Sequence, residues 1–250
     1  MKNGWSLLVA SALVGAGVGI AAFLSSGEAM VPLATVPYVL ATLGALAGAS
    51  AFTRHDRMMW AWLAIALGTA VGGAVCALTG RPPIKSGWGS APVADWVRQV
   101  VVAKAFVVNA ASVVGLLLIA QAYRDLGARP AWYRVATLVA FAVGAAVAGP
   151  ALMHSVTGGG ISWTGVFSSV GDLVSITMIG PLAVSAIKMR GGKMSWPYLL
   201  LTLSTLSWLA YDATIALSGD AQVIADLVTM SLGGTFAGAA GLANRQALAA

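Results

Sequence analysis

Charged and amide side chains that interrupt long apolar stretches are the residues of this chain most able to do chemistry. An ionisable group inside a membrane-spanning helix is energetically costly and marks a functional site by default. One ammonium, three carboxylates and nearby polar groups could together bind an ion or a polar ligand. The residues assigned to this candidate cavity are Lys104, Asn109, His154, Asp172, Asp212 and Asp226.

The depths of the four charged residues along their predicted helices favour a cavity that opens to one side. Lys104 and Asp226 lie about one helical turn below the outer surface at roughly 1.5 Å per residue. Asp212 lies in the outer third of its helix, and Asp172 lies near the middle. We therefore predict an outward-facing cavity in which Lys104 pairs with Asp172 or Asp212. The alternative is a structural ion pair, with the remaining acids reaching the headgroups.

The residue types present give little support for catalysis or for metal binding. The histidines, His55 and His154, are predicted on opposite sides of the membrane and cannot ligate one metal ion. Cys76 is the single cysteine, which excludes a thiolate cluster and favours a small buried side chain. The glycines at 158–160 lack the Lys-Ser/Thr of a phosphate-binding loop. We expect no metal or cofactor, and a non-enzymatic protein is favoured.

The composition predicts that the elements around these residues lie in lipid. Of the 250 residues, 59% are hydrophobic and 9% are charged. A soluble domain carries roughly 25% charged residues. A chain this apolar cannot cover a surface facing water, so the lipid bilayer is its expected partner. The net charge of +6 arises from basic residues in short loops, which argues against nucleic acid as a partner.

Continuous apolar runs of about 20 residues predict an all-α, polytopic membrane helix bundle. The runs are too long and too continuous for the alternating strands of a membrane β-barrel. The eight predicted spans are Trp5–Leu24, Val31–Phe52, Met59–Leu78, Val100–Ala122, Trp132–Met153, Trp163–Ile187, Trp196–Leu217 and Gln222–Ala243.

Basic residues alternate between the predicted loops in a way that orients the bundle. With a cytoplasmic N-terminus, ten of the 14 basic residues fall inside, three fall outside and Lys104 lies within a helix. This bias satisfies the positive-inside rule and predicts that both termini are cytoplasmic. The inside residues are Lys2, Arg54, Arg57, Arg124, Arg129, Arg134, Lys188, Arg190, Lys193 and Arg245, and the outside residues are Arg81, Lys85 and Arg98.

The chain is predicted to form a single transmembrane domain over residues 1–250, with a leading hairpin at 1–55 and three helical hairpins at 56–250. A short repeat supports this plan, because Asp172-Leu173-Val174-Ser175 resembles Asp226-Leu227-Val228-Thr229. Each of the three hairpins also begins near a tryptophan and returns to a basic segment.

From Trp60 to Arg245 the chain resembles the multi-helix membrane input domains of bacterial diguanylate cyclases and sensor kinases. The matching segments are Ser90-Ala91-Pro92-Val93-Ala94-Asp95, Gly171-Asp172, Arg190-Gly191-Gly192-Lys193 followed by Trp196-Pro197, and Tyr211-Asp212. The resemblance implies a sensor role in signal transduction, in the inner membrane of a bacterial cell. Because the family's cytoplasmic output domain does not follow, it also implies action through other membrane proteins.

A shorter segment supports another interpretation. Residues 165–173, with Ser168, Ser169 and Asp172, resemble the Gly-x-Phe-Ser-x-x-Gly-Asp motif of lysoplasmalogenase-like membrane hydrolases. This likeness implies a hydrolytic site at Asp172. Three hypotheses therefore stay open. They are a non-enzymatic sensor-like protein or accessory subunit, a small-molecule or proton-coupled transporter that uses the outward-facing cavity, and a membrane-embedded hydrolase.

Overall fold

A computed structural model describes residues 2–25, 29–84, 94–125, 132–157, 160–188 and 192–249 of the chain. Within these residues the protein is all-α. Eight of its helices are long and apolar enough to cross a membrane. The helices are α1 (Lys2–Leu24), α2 (Met30–Ala49), α3 (Arg57–Thr79), α4 (Asp95–Asp125), α5 (Tyr133–Thr157), α6 (Trp163–Lys188), α7 (Ser195–Ala213) and α8 (Gly219–Leu248), with a 3₁₀ turn at Thr214–Ala216 after α7.

The predicted spans are confirmed to within a few residues, and the largest differences have a common cause. Helix α4 begins at Asp95, five residues before the apolar run, and α8 continues to Leu248, five residues beyond it. Hydrophobicity marks only the part of a helix that lies in lipid, whereas the backbone hydrogen bonds continue into the polar interface. The apolar runs therefore locate the helices but underestimate their length.

Six of the helices follow one another in a closed circuit of contacts, in the order α8, α2, α3, α4, α6, α7 and back to α8. The other two lie against this circuit. Helix α1 packs chiefly on α8, and α5 packs on α6 and α7. Helix α8 is the most buried of the eight, because it contacts α1, α2 and α7 along its length. The circuit surrounds the interior in which the candidate site lies.

The helices alternate in direction, and residue contacts show this directly. Gly15 and Gly19 of α1 lie against Leu232 and Val228 of α8 respectively, so these two helices are antiparallel. At the start of α1, Trp5 also meets Trp196 at the start of α7, with ring centroids 5.3 Å apart. One end of the bundle thus holds the start of α1 and the end of α8. We name it the termini end, and the opposite end the far end.

Glycines allow α8 to approach its neighbours closely. Gly44 of α2 faces the backbone of Gly238, and a Cβ on Gly19 would lie 2.7 Å from the Cα of Val228. A Cβ on Gly234 would lie 2.7 Å from the carbonyl oxygen of Pro37. Small residues permit such backbone contacts between membrane helices. Packing within the bundle thus accounts for the glycine pairs that have GxxxG spacing, which are Gly15/Gly19, Gly44/Gly48, Gly68/Gly72 and Gly234/Gly238.

The termini end of the circuit is filled by one apolar cluster to which all six helices contribute. Its residues include Ala45, Trp62, Leu116, Ile179, Leu200 and Phe236. None of the described residues of this cluster is charged. We name it the apolar core. A smaller apolar group around Tyr38, Leu227 and Met230 lies toward the far end, beside the polar residues described next.

Candidate functional site

Lys104 and Cys76 meet inside the circuit near its far end. Cys76 lies in the last turn of α3 and is 2% exposed, and Lys104 lies in the first third of α4. The Lys104 ammonium donates to Cys76 Sγ over 3.7 Å and lies 5.9 Å from the centre of the Tyr38 ring. This distance is within the range of a cation–π interaction. The lysine therefore joins α4 to α2 and α3.

Tyr211 of α7 connects this pair to the buried carboxyl groups. Its side chain packs against the apolar group that contains Tyr38 and Cys76, and the next residue in the chain is Asp212. The hydroxyl donates to the carbonyl oxygen of Pro83 over 3.0 Å. Pro83 belongs to the segment that follows α3, so this bond also fixes that segment over the end of the circuit.

Asp226 is fully buried at the start of α8, and Asp212 near the end of α7 is 3% exposed. The hydroxyl of Thr214 donates to Oδ1 of Asp226. Thr214 begins the 3₁₀ turn between α7 and α8, so this bond joins the connection to the helix that follows it. Burial of a carboxyl group in a bilayer is costly without hydrogen bonds. Thr214 supplies one of them from the neighbouring helix.

Three aromatic rings pack together beside these polar groups. The ring centroid of Trp208 lies 6.2 Å from that of Tyr38 and 6.1 Å from that of Tyr211. Aromatic rings at these separations are in contact range and pack as rigid amphipathic surfaces. We name the whole group of residues the far-end cluster, and its members are Tyr38, Cys76, Lys104, Trp208, Tyr211, Asp212, Thr214 and Asp226.

Asn109 and Asp172 lie together at the contact between α4 and α6. The side chain of Asn109 rests on Gly171, next to Asp172 in α6, and its Nδ2 donates to the carbonyl oxygen of Ala105 over 2.8 Å. Ser168 Oγ lies 3.5 Å from Asp172 Oδ2, at the limit of a hydrogen bond. Asp172 is half-buried, in contrast to Asp226.

The six residues of the predicted cavity thus divide into three places. Lys104, Asp212 and Asp226 belong to the far-end cluster. Asn109 and Asp172 form the contact between α4 and α6, and His154 is exposed near the end of α5. The described contacts of Lys104 are with Cys76 and Tyr38, and its ion pair with Asp172 or Asp212 stays a prediction.

The sequence indicated the charged members of the far-end cluster but not most of its uncharged ones. Tyr38, Trp208 and Thr214 lie in apolar or weakly polar surroundings and carry no spacing signal. Cys76 is buried as expected, yet it also faces an ammonium group. Residues such as Tyr38 join the cluster only because α2 lies between α8 and α3, an arrangement that hydrophobicity does not reveal.

Carboxyl, hydroxyl and aromatic groups are the types that bind small polar or cationic ligands in proteins, and the far-end cluster contains all three. Within the described residues, no three histidine, cysteine, aspartate or glutamate side chains are grouped as metal ligands. Comparisons of the chain with protein-family models, with curated proteins and with solved structures find no match.

Proposed function

We propose that this protein is a non-enzymatic, sensor-like membrane protein or accessory subunit that acts through contact with other membrane proteins. The far-end cluster supports this proposal, because it joins side chains of α2, α3, α4, α7 and α8 at one place. A ligand or ion that binds there alters the contacts of five helices together. Those helices meet again at the termini end, where a change in their packing is available to a partner.

The apolar core argues against the transporter hypothesis. Alternating access requires a binding site that opens to each side in turn, and such sites commonly lie at the midplane beside broken helices. Within the described residues the charged and aromatic groups of the cluster occupy the far end only. The core that fills the termini end is apolar and includes Trp62 and Leu200, both 0% exposed. A polar solute would meet closely packed side chains on that path.

The outer faces of α1 and α5 support contact with lipid and with partner helices. Both helices lie outside the circuit and expose large apolar side chains, among them Leu13 in α1 and Leu138 in α5, each 68% exposed. The bilayer covers such faces, and exchange of lipid for a partner helix requires no further burial of polar groups. These faces are where we expect an accessory subunit to meet its neighbours.

The proposal includes an orientation, with the termini end in the cytoplasm of a bacterial cell and the chain in its inner membrane. The excess of basic residues in the segments of the termini end supports the orientation, and the resemblance to bacterial input domains supports the bacterial inner membrane. Reporter fusions at Gly192 and Ser218, which lie at opposite ends of the bundle, test it. We expect the cytoplasmic reporter to be active only at Gly192. Activity only at Ser218 would reverse the orientation.

Transport by the purified protein is the direct test of the functional proposal. Reconstituted in liposomes, the chain should show no uptake of protons or solutes above that of empty liposomes. Asp226→Asn should leave this baseline unchanged. The matched control is Asp220→Asn, which changes an exposed carboxylate of the same helix. Uptake that Asp226→Asn abolishes and Asp220→Asn retains would overturn the proposal in favour of a transporter.

Solubilisation of native membranes in a mild detergent tests the partner directly. We expect the protein to migrate in a complex larger than a 25.2 kDa chain with its bound detergent. A monomer in native membranes, confirmed by crosslinking before solubilisation, would contradict action through a partner.

A further inference from the structure

Two fully buried polar side chains at the termini end present complementary hydrogen-bonding groups. Trp62 of α3 and Asn244 of α8 are both 0% exposed. Nε1 of Trp62 is a donor and Oδ1 of Asn244 is an acceptor, and neither atom has a hydrogen-bond partner among the described residues. Buried polar atoms in proteins are nearly always hydrogen bonded, so this pair requires an explanation.

Both side chains lie against the same residue, Gly48 of α2. A Cβ on Gly48 would lie 2.9 Å from Cδ2 of Trp62 and 3.2 Å from Cε2, the ring atom bonded to Nε1. Nδ2 of Asn244 donates to the carbonyl oxygen of Gly48 over 3.5 Å. The absence of a side chain at Gly48 thus brings the indole and the amide to one place, where α2, α3 and α8 meet.

The place is close to the polar interface. Trp62 lies five residues after Arg57, the first residue of α3, and Asn244 lies four residues before Leu248, the last of α8. At about 1.5 Å per residue these depths correspond to roughly 6 to 8 Å along the helix axes. Water at the termini end therefore needs to pass only one or two helical turns to reach the pair.

We propose that one water molecule binds between Trp62 and Asn244. It accepts a hydrogen bond from Nε1–H of Trp62 and donates one to Oδ1 of Asn244, which satisfies both atoms at once. Water matches the pair because it offers a donor and an acceptor together, and buried waters typically bridge two to four such groups. A neutral ligand fits better than an ion, since both groups are uncharged.

The bound water connects helices that are not consecutive in the circuit. Helix α3 follows α2 and contacts α4, whereas α8 lies on the other side of α2. A bridge from Trp62 to Asn244 therefore joins α3 to α8 past Gly48. The termini end, where Asn244 already donates to the carbonyl oxygen of Gly48, gains a further hydrogen-bonded connection in this way.

A crystal structure of the full chain in a lipidic phase, at a resolution that shows ordered water, tests the proposal. We expect a water oxygen within about 2.7–3.2 Å of both Trp62 Nε1 and Asn244 Oδ1. The water should be lost in Trp62→Phe. It should persist in the matched control Trp60→Phe, which removes an exposed indole of the same helix that donates to the carbonyl of Arg54.

Two results would overturn the proposal, and both can be read from the wild-type structure, so neither depends on the folding of a variant. One is a direct hydrogen bond between Trp62 Nε1 and Asn244, with no water. The other is an absence of ordered density between the two side chains.

Discussion

The far end and the termini end of the helix circuit are held together by different interactions. At the far end, α2, α3, α4, α7 and α8 are joined by hydrogen bonds, aromatic contacts and charged groups, such as the contact of Lys104 with Cys76 and the bond from Thr214 to Asp226. At the termini end the same helices meet through apolar side chains and through glycines that bring backbones into contact, as at Gly44 and Gly238.

This difference indicates which end of the bundle can rearrange. Polar side chains can exchange one hydrogen-bond partner for another, or for a ligand, with little change in volume. Closely packed backbones have no such alternatives, because a small displacement creates voids or overlaps. Under the proposed function, the far end is therefore the part that rearranges when a ligand binds, and the closely packed helices respond as rigid units.

The glycine contact between α2 and α8 should give the largest effect of the predicted substitutions. Gly44→Val places a branched side chain against the backbone of Gly238, and overpacking of this kind costs about 1–3 kcal/mol or more. We expect a loss of at least about 2 kcal/mol of stability against denaturant in detergent. The matched control is Gly17→Val, because a Cβ on Gly17 meets no atom within 4 Å. Equal stability of the two variants would contradict the proposed role of this contact.

An intermediate effect is expected at the far end. Thr214→Val preserves volume but removes the hydroxyl that donates to Asp226, and a hydrogen bond to a buried carboxyl group contributes roughly 1–3 kcal/mol. Thermal unfolding in detergent measures this loss. Thr157→Val serves as the control, since this threonine is exposed and bonds only within its own helix. A loss of thermal stability as small as that of Thr157→Val would show that the hydrogen bond from Thr214 to Asp226 does not stabilise the protein.

The smallest effect should come from Lys104→Met, which keeps most of the side-chain length and removes the ammonium. Because this ammonium contacts Cys76 and the Tyr38 ring, we expect its removal to lower the free energy of unfolding by about 1 kcal/mol. Lys193→Met, at an exposed lysine, should change stability by less than about 0.5 kcal/mol. A loss of roughly 3–5 kcal/mol for Lys104→Met would instead support the predicted ion pair with a carboxylate.

The sequence sufficed to predict the fold class, because lipid imposes a strong length requirement on apolar segments. Each of the eight predicted spans coincides with a helix of the structure. Which helices are neighbours did not follow from hydrophobicity. The position of α8 between α1 and α2 depends on contacts such as those of Gly19 and Gly44. Glycines with the same GxxxG spacing, Gly68 and Gly72, also occur in α3, so the spacing alone does not identify the partner.

The candidate site was only partly predictable, because its residues come from helices whose neighbours do not follow from hydrophobicity. A charge in an apolar helix is conspicuous in the sequence, so Lys104, Asp212 and Asp226 were found. The similar segments that begin at Asp172 and Asp226 nevertheless lie in different surroundings, one half-buried beside α4 and one fully buried beside Thr214. Local sequence determines the residue type, whereas the neighbouring helix determines what that residue can contact.

The position of α8 also bears on the order in which the protein assembles during synthesis. Helices α1 and α2 are made before the other described helices, yet each has a major packing partner in α8, which is made after all of them. Contacts between residues so distant in sequence form late and slow the folding of a chain. We therefore expect the earlier helices to be inserted in the bilayer before α8, with the glycine faces of α1 and α2 exposed to lipid. The arrival of α8 then closes the circuit in a single late step.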